Sequence, residues 1–153
     1  DGDAFCYISD YPVTAVANGK IARISRGVVV LDLDGDGNET TGWTILYLHM
    51  SIDPTRVAGQ DVAVGDTLGY ASCQGGFSTA THIHIARRYN GEWMPADCAN
   101  CNTADIVPAF VMGDWRAVGL RNQEYQGYMV NLLDDRRAVA EQGRNVKINE
   151  ISW

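Results

Sequence analysis

Six short segments, at 13–16, 20–25, 28–33, 43–49, 67–71 and 82–89, are rich in β-branched and aromatic residues and are separated by glycine-bearing turns. That rhythm predicts an all-β chain. Asn18-Gly19, Gly35, Gly37, Gly59, Gly65 and Gly75-Gly76 mark the turns, and Pro12 suits a strand start. Past Glu92 the texture shifts to Pro, Asp, Cys and Asn. There 106–112 reads as a strand or an apolar turn, 125–133 as a strand, 134–142 as one or two helical turns, and 146–153 as a final strand. The expected organisation is a core over 1–95 with a β-rich extension over 96–153 packed on it.

With 46% hydrophobic and 20% charged residues in 153, the chain has the material for a core and too little charge bias for disorder. Twelve Lys plus Arg against 19 Asp plus Glu give a net charge of −7, which argues against nucleic acid as a partner. The longest apolar runs, 28–33 and 45–48, fall far short of the roughly 18 residues of a membrane span. The chain opens at Asp1 with neither Met nor a hydrophobic leader, which reads as a processed product or as part of something longer.

Cys6, Cys73, Cys98 and Cys101 form an even set. The spacing of Cys98 and Cys101 is shared by zinc knuckles and redox dithiols. Cys6 and Cys73 make no second pair of that spacing, and the polar surroundings of Cys98 do not open a helix. Disulfides are the better reading, and they imply an oxidising, extracytoplasmic compartment. A Cys6–Cys73 bridge would tie the first segment to the loop before His82, and Cys98 with Cys101 would close a local loop.

The chain has three histidines. In His82-Ile83-His84 the period of a strand sends both imidazoles to one face and Ile83 to the other. His49 ends the segment 43–49, sharing a face with Trp43, Ile45 and Tyr47. If the two segments are neighbours, the three imidazoles meet. A lone strand histidine is usually a surface or hydrogen-bonded residue, but this grouping suits a metal or acid-base site.

Four motifs occur in order: P-V-x-A-x-x-x-G-x-I from Pro12 to Ile21, Y-x-H from Tyr47 to His49, G-Q-x-V-x-x-G-D-x-x-G from Gly59 to Gly69, and S-T-x-x-H-x-H from Ser78 to His84. Together they resemble the lysostaphin/LytM-type zinc metallopeptidases, over residues 13–86. The resemblance implies an antiparallel β-sheet groove holding one zinc, with His84 as a ligand and with His82 and His49 assisting the water and the oxyanion. It implies hydrolysis of peptidoglycan cross-bridges and stems or of Gly-rich peptides. The family's other two ligands, a His and an Asp, precede the P-V-x-A strand. Here no His precedes His49, and Ala4 stands near the Asp position, with Asp1 and Asp3 beside it; Asp3 is the nearest candidate ligand. Either residues ahead of Asp1 supply the ligands, or this is a degenerate member. The three downstream histidines in matching positions favour the first.

Asp32, Asp34 and Asp36 alternate in a Gly-rich turn, as calcium loops begin. The twelfth position counted from Asp32 is Trp43 and not Glu, so the turn is not an EF-hand. A shorter, stabilising calcium loop and a polar hairpin tip are the alternatives. Tyr47 lines the groove and donates to an oxyanion, or is a packed aromatic. Arg87 and Arg88, with Tyr89 and Trp93, form a rim that could hold a peptide carboxylate, or a solvated hairpin. Three functions follow: an extracytoplasmic zinc endopeptidase, a non-catalytic module that binds cell wall or regulates a hydrolase, and a structural surface or filament subunit assembling through 96–153. An acidic chain sits awkwardly with a polyanionic wall.

Overall fold

The computed structural model describes residues 5–98, 107–123, 126–139 and 151. The chain divides into two compact units, Asp1–Trp93 and Met94–Trp153. Among the described residues there is no α-helix.

The first unit carries β1 (Pro12–Thr14), β2 (Gly19–Ser25), β3 (Val28–Asp32), β4 (Trp43–Leu48), β5 (Met50–Ile52), β6 (Asp61–Val62), β7 (Thr67–Ala71), β8 (His84–Tyr89) and β9 (Glu92–Met94). They form an antiparallel six-stranded sheet, β6-β2-β3-β4-β8-β9, and a three-stranded sheet, β1-β7-β5. The expected all-β class and antiparallel groove architecture are what the chain builds. In the middle of the larger sheet, β3 buries Val29, Val30, Leu31 and Asp32 in succession. Such a continuous run marks a strand covered on both faces. Leu31→Ala is therefore a core deletion of about 2–5 kcal/mol.

Two features of this unit place the site. β4 and β8 are neighbours in a register that pairs Leu48 with His84 and Tyr47 with Ile85. The chain also changes sheet at His49: β4 belongs to the six-stranded sheet and β5 to the three-stranded one. His49 makes the bend in the left-handed region, at φ 68°. An imidazole tolerates that region better than a β-branched residue does, at a modest energetic cost.

Cys6 is disulfide-bonded to Cys73 across 67 residues of sequence. The segment it anchors is also stitched to the loop before His82. Thr81 N–H donates to the Phe5 carbonyl at 2.8 Å, and Tyr7 N–H donates to Thr81 Oγ1 at 2.7 Å.

The second unit is an antiparallel meander of β10 (Val111–Met112), β11 (Trp115–Gly119), β12 (Gly127–Asn131) and β13 (Arg137–Ala138). Trp115 is its buried anchor, with the Arg136 guanidinium 5.6 Å from the ring centroid. The helical turns expected at 134–142 are absent over 134–139. Asp134 accepts the Arg136 N–H, Asp135 sits at φ 59°, and β13 then pairs with β12. A left-handed residue after a side-chain-closed turn ends any helix before it starts. The strand expected at 125–133 forms as Gly127–Asn131, and that at 106–112 as Val111–Met112. β11 was not anticipated. Cys98 is disulfide-bonded. Cys101, Asp3 and, Ile151 apart, the strand expected at 146–153 lie outside the described residues.

Candidate active site

The pairing of β4 with β8 brings the three histidines together. The His49 and His82 ring centroids are 4.6 Å apart, and those of His49 and His84 are 6.5 Å apart. His49 is buried, while His82 and His84 open to solvent. β8 starts at His84, so His82 lies just before it, in an isolated bridge with Ser72.

The rings of His49 and His82 are aimed by backbone carbonyls. His49 Nδ1 lies 3.0 Å from the Gln74 carbonyl oxygen, and His82 Nδ1 lies 2.8 Å from that of Ala80. A carbonyl only accepts, so both Nδ1 atoms carry the proton and both Nε2 atoms are left as proton acceptors. Holding one nitrogen to aim the other is the ordinary way of fixing an imidazole's tautomer. His84 is held below the usual imidazole range, by partial desolvation first and then by repulsion from His49 and His82. Both effects favour the neutral ring, the form that ligates metal.

Ser72 is the hub that sequence reasoning missed. It is buried, and its N–H and Oγ both donate to the His49 carbonyl, at 2.6 and 3.0 Å. Its Oγ accepts the Gln74 N–H at 3.1 Å, and its carbonyl accepts the His82 N–H at 3.4 Å. One serine thus connects the backbones of two site histidines and the residue that aims one of them. Most of these bonds run through main-chain atoms, which leave no trace in residue type.

Gly27 and Gly75 let the β2–β3 turn seat against this loop. A Cβ on Gly27 (φ 70°) would lie 2.5 Å from the Gln74 carbonyl carbon, and one on Gly75 (φ 84°) would lie 2.7 Å from the Arg26 carbonyl oxygen. Both clashes are with backbone, so neither yields to a rotamer change.

Three expectations are corrected or refined. Tyr47 does not line a groove: it is fully buried, its hydroxyl accepts the Val16 N–H at 2.9 Å, and desolvation raises its pKa. It is the packed aromatic. Arg87 and Arg88 are engaged already. Arg87 is buried, 5.5 Å from the Trp43 ring centroid, while Arg88 lies 3.8 Å from that of Trp93 and 3.6 Å from Glu39. The Asp32, Asp34 and Asp36 carboxylates gather within 4.8 Å of one another. Asp32 is buried and accepts N–H bonds from Asp34 and Gly37, and Asp36 accepts from Asn38 N–H and the Thr41 hydroxyl. Asp34 is nevertheless pushed up: the Asp36 N–H bond pulls it down, but desolvation and the two neighbouring carboxyls together outweigh it. The turn closes on its own backbone donors.

A catalytic zinc takes three protein ligands and keeps a position open. Among the described residues the aspartate trio is the one group of three or more His, Cys, Asp or Glu with ligand atoms so close. The three imidazoles do not form such a group, so the described residues do not bring together a complete set of zinc ligands.

Comparisons with known proteins agree with this arrangement. No protein-family model matches the sequence. Protease LasA of Pseudomonas aeruginosa strain UCBPP-PA14 is 35% identical over 92 residues, taking in 55% of this chain and 20% of LasA. LasA of strain PAO1 is 33% identical over the same length. The chain spans about a fifth of the length of these curated relatives. Among solved structures, the M23 metalloprotease pseudoalterin, from the deep sea, superposes with a TM-score of 0.58 at 22% identity, over 88% of this chain and 72% of that one. The catalytic domain of lysostaphin from Staphylococcus simulans gives a TM-score of 0.45 at 30% identity, over 56% and 63%. Strand order defines an antiparallel β domain with the fold of the M23 metalloprotease pseudoalterin. Over 92 residues its sequence is similar to protease LasA, in line with the lysostaphin/LytM-type resemblance of its motifs.

Proposed function

We propose that the domain hydrolyses peptide bonds in peptidoglycan cross-bridges or Gly-rich peptides, outside the cytoplasm. The observation that carries this reading is the convergence of His49, His82 and His84, two of them with Nδ1 held by carbonyls and Nε2 left to act. In that state an Nε2 takes the proton of an attacking water and returns it to the leaving amine. A neutral His84 is suited to give one ligand to zinc, whose chemistry here is that of a Lewis acid on the scissile carbonyl. The remaining ligands would come from outside the described residues, where Asp3 lies. The relatives' names, protease and metalloprotease, support a peptidase, and the Cys6–Cys73 bridge supports an oxidising compartment.

The incomplete ligand set among the described residues favours one competing reading, a module that binds cell-wall peptide without cutting it. Zinc content by elemental analysis, read beside hydrolysis of a pentaglycine-bridged peptide, separates the two. The peptidase reading expects one zinc per chain, lost with His84→Ala, and hydrolysis lowered about a hundredfold or more by His82→Ala. Peptide binding with neither zinc nor hydrolysis would establish the binding module instead.

A further inference from the structure

Among the described residues of the first unit, one guanidinium has no partner. Arg23 is bidentate to Glu39, Arg56 Nε donates to the Thr67 carbonyl, Arg87 lies beside Trp43 and Arg88 on Trp93. Arg26, at the tip of the β2–β3 turn, is exposed, and among the described residues no carboxylate, carbonyl or ring engages its guanidinium.

Arg26 lines a cavity of about 590 Å³, a size typical of small-ligand sites. Tyr7 and Ile8 supply an apolar wall, and the 72–76 loop supplies the rest. That loop is the one that aims His49. Gln74 accepts the His49 Nδ1–H, and a Cβ on Gly76 would lie 3.8 Å from His49 Cε1. The cavity and the histidine cluster therefore share a wall. Both of its sides are fixed in place: Gly27 and Gly75 seat the Arg26 turn against the loop, and the Cys6–Cys73 bridge ties down the segment bearing Tyr7 and Ile8.

The geometry points to this cavity as a carboxylate-recognising subsite, in which Arg26 pairs with a negatively charged group of a peptide whose neighbouring backbone lies along Gly75 and Gly76. The inference rests on the reading of the adjoining cluster as a peptide site. A guanidinium presents its donors as a rigid fork that matches a carboxylate's two oxygens. At Gly76, where an added Cβ would meet only His49 Cε1 at 3.8 Å, the absent side chain leaves room for a peptide backbone, and the apolar wall suits the aliphatic stem behind the charge. In a chain of net charge −7, one unpaired cation in a cavity beside the acid-base groups selects for local negative charge on the ligand. Two sources fit this chemistry: a free C-terminus and an acidic side chain.

The test is an NMR titration of the full chain with three probes: tetraglycine with a free C-terminus, its C-terminal amide, and an acetylated, amidated Gly-Glu-Gly-Gly. One of the two carboxylate peptides is expected to bind about tenfold tighter than the amide, with shifts at the Gly75 and Gly76 amides. Which one it is names the source. Arg26→Ala should abolish the preference and Arg26→Lys should retain part of it, since a point charge replaces the fork. Equal affinity for the three peptides, or a preference that survives Arg26→Ala, overturns the inference. Hydrolysis of the amide by the unmodified chain, followed by released amine, tests the peptidase reading separately. Preference without hydrolysis upholds the subsite and removes the peptidase; hydrolysis without preference does the reverse.

Discussion

Ser72 shows how much of the site hangs on single bonds. Ser72→Ala removes one of two donors to the His49 carbonyl and leaves the Gln74 N–H without its acceptor. A buried group left unpaired costs about 1–3 kcal/mol, and here the slack falls on the residue that aims His49. On the peptidase reading we expect a lower thermal midpoint together with a fall in kcat larger than any change in KM, with zinc content unchanged. Steady-state kinetics and zinc content on one preparation check this. Glu39 gives a pH-dependent counterpart. The Arg23 bond chiefly, then the charges of Arg23 and Arg88, hold its carboxyl below the usual range against some desolvation. A depressed carboxyl contributes stability that is present above its unfolded pKa and is lost as pH falls through the folded one. Denaturant midpoints should therefore drop as pH falls below about 4.5, and Glu39→Gln should flatten that part of the profile. An unchanged slope would show that the pair adds nothing, as exposed pairs often do.

Among the elements, the Cys6–Cys73 bridge and the β3–β4 turn make the clearest claims. A cross-link closing a 67-residue separation removes loop entropy worth about 4 kcal/mol from the unfolded chain, of which engineered and native examples deliver about 2–4. The Cys6→Ser, Cys73→Ser double variant should unfold at correspondingly lower denaturant, and the Tyr7–Ile8 wall should exchange its amides faster. Asp32→Ala should cost about 1–3 kcal/mol by stranding the Asp34 and Gly37 N–H groups; a loss below 0.5 kcal/mol would mean the turn re-closes on other acceptors. This scale also shows what was readable in advance. β1, β2, β3, β4, β7 and β8 follow from period-two patterning, whereas the short β5, β6 and β9 were not anticipated; the three histidines meet because β4 and β8 are neighbours, with His49 and His82 just outside those strands. Tyr47 misled because a strand face can turn toward the core as well as toward a groove, and the Val16 N–H that claims its hydroxyl is a main-chain group 31 residues away. The 134–142 segment misled because Ala and Val amid charges look helical until Asp134 and Asp135 close the turn. Ser72, Gln74 and Ala80 act largely through carbonyls and N–H groups that every residue possesses.

At the scale of the whole molecule, net charge decides how the chain meets its surroundings. A chain of −7 approaching a polyanionic wall is repelled within about 10 Å of it at 0.1 M salt, and added salt shortens that reach. Co-sedimentation with isolated peptidoglycan should therefore rise with ionic strength. Binding that weakens with salt would instead show that local cations such as Arg26 dominate the encounter.

His49 is at once the corner where the chain passes from one sheet to the other and a member of the histidine cluster. The two roles cannot be selected separately. In a saturation mutagenesis screen His82 and His84, on the open side, would register through lost activity in well-expressed protein. His49 would register as poor expression first, and its chemistry would be hidden beneath its folding defect. A lineage discarding the reaction could shed the first two freely, whereas the third could give way only to a residue that also tolerates the left-handed corner, such as Asn or Gly.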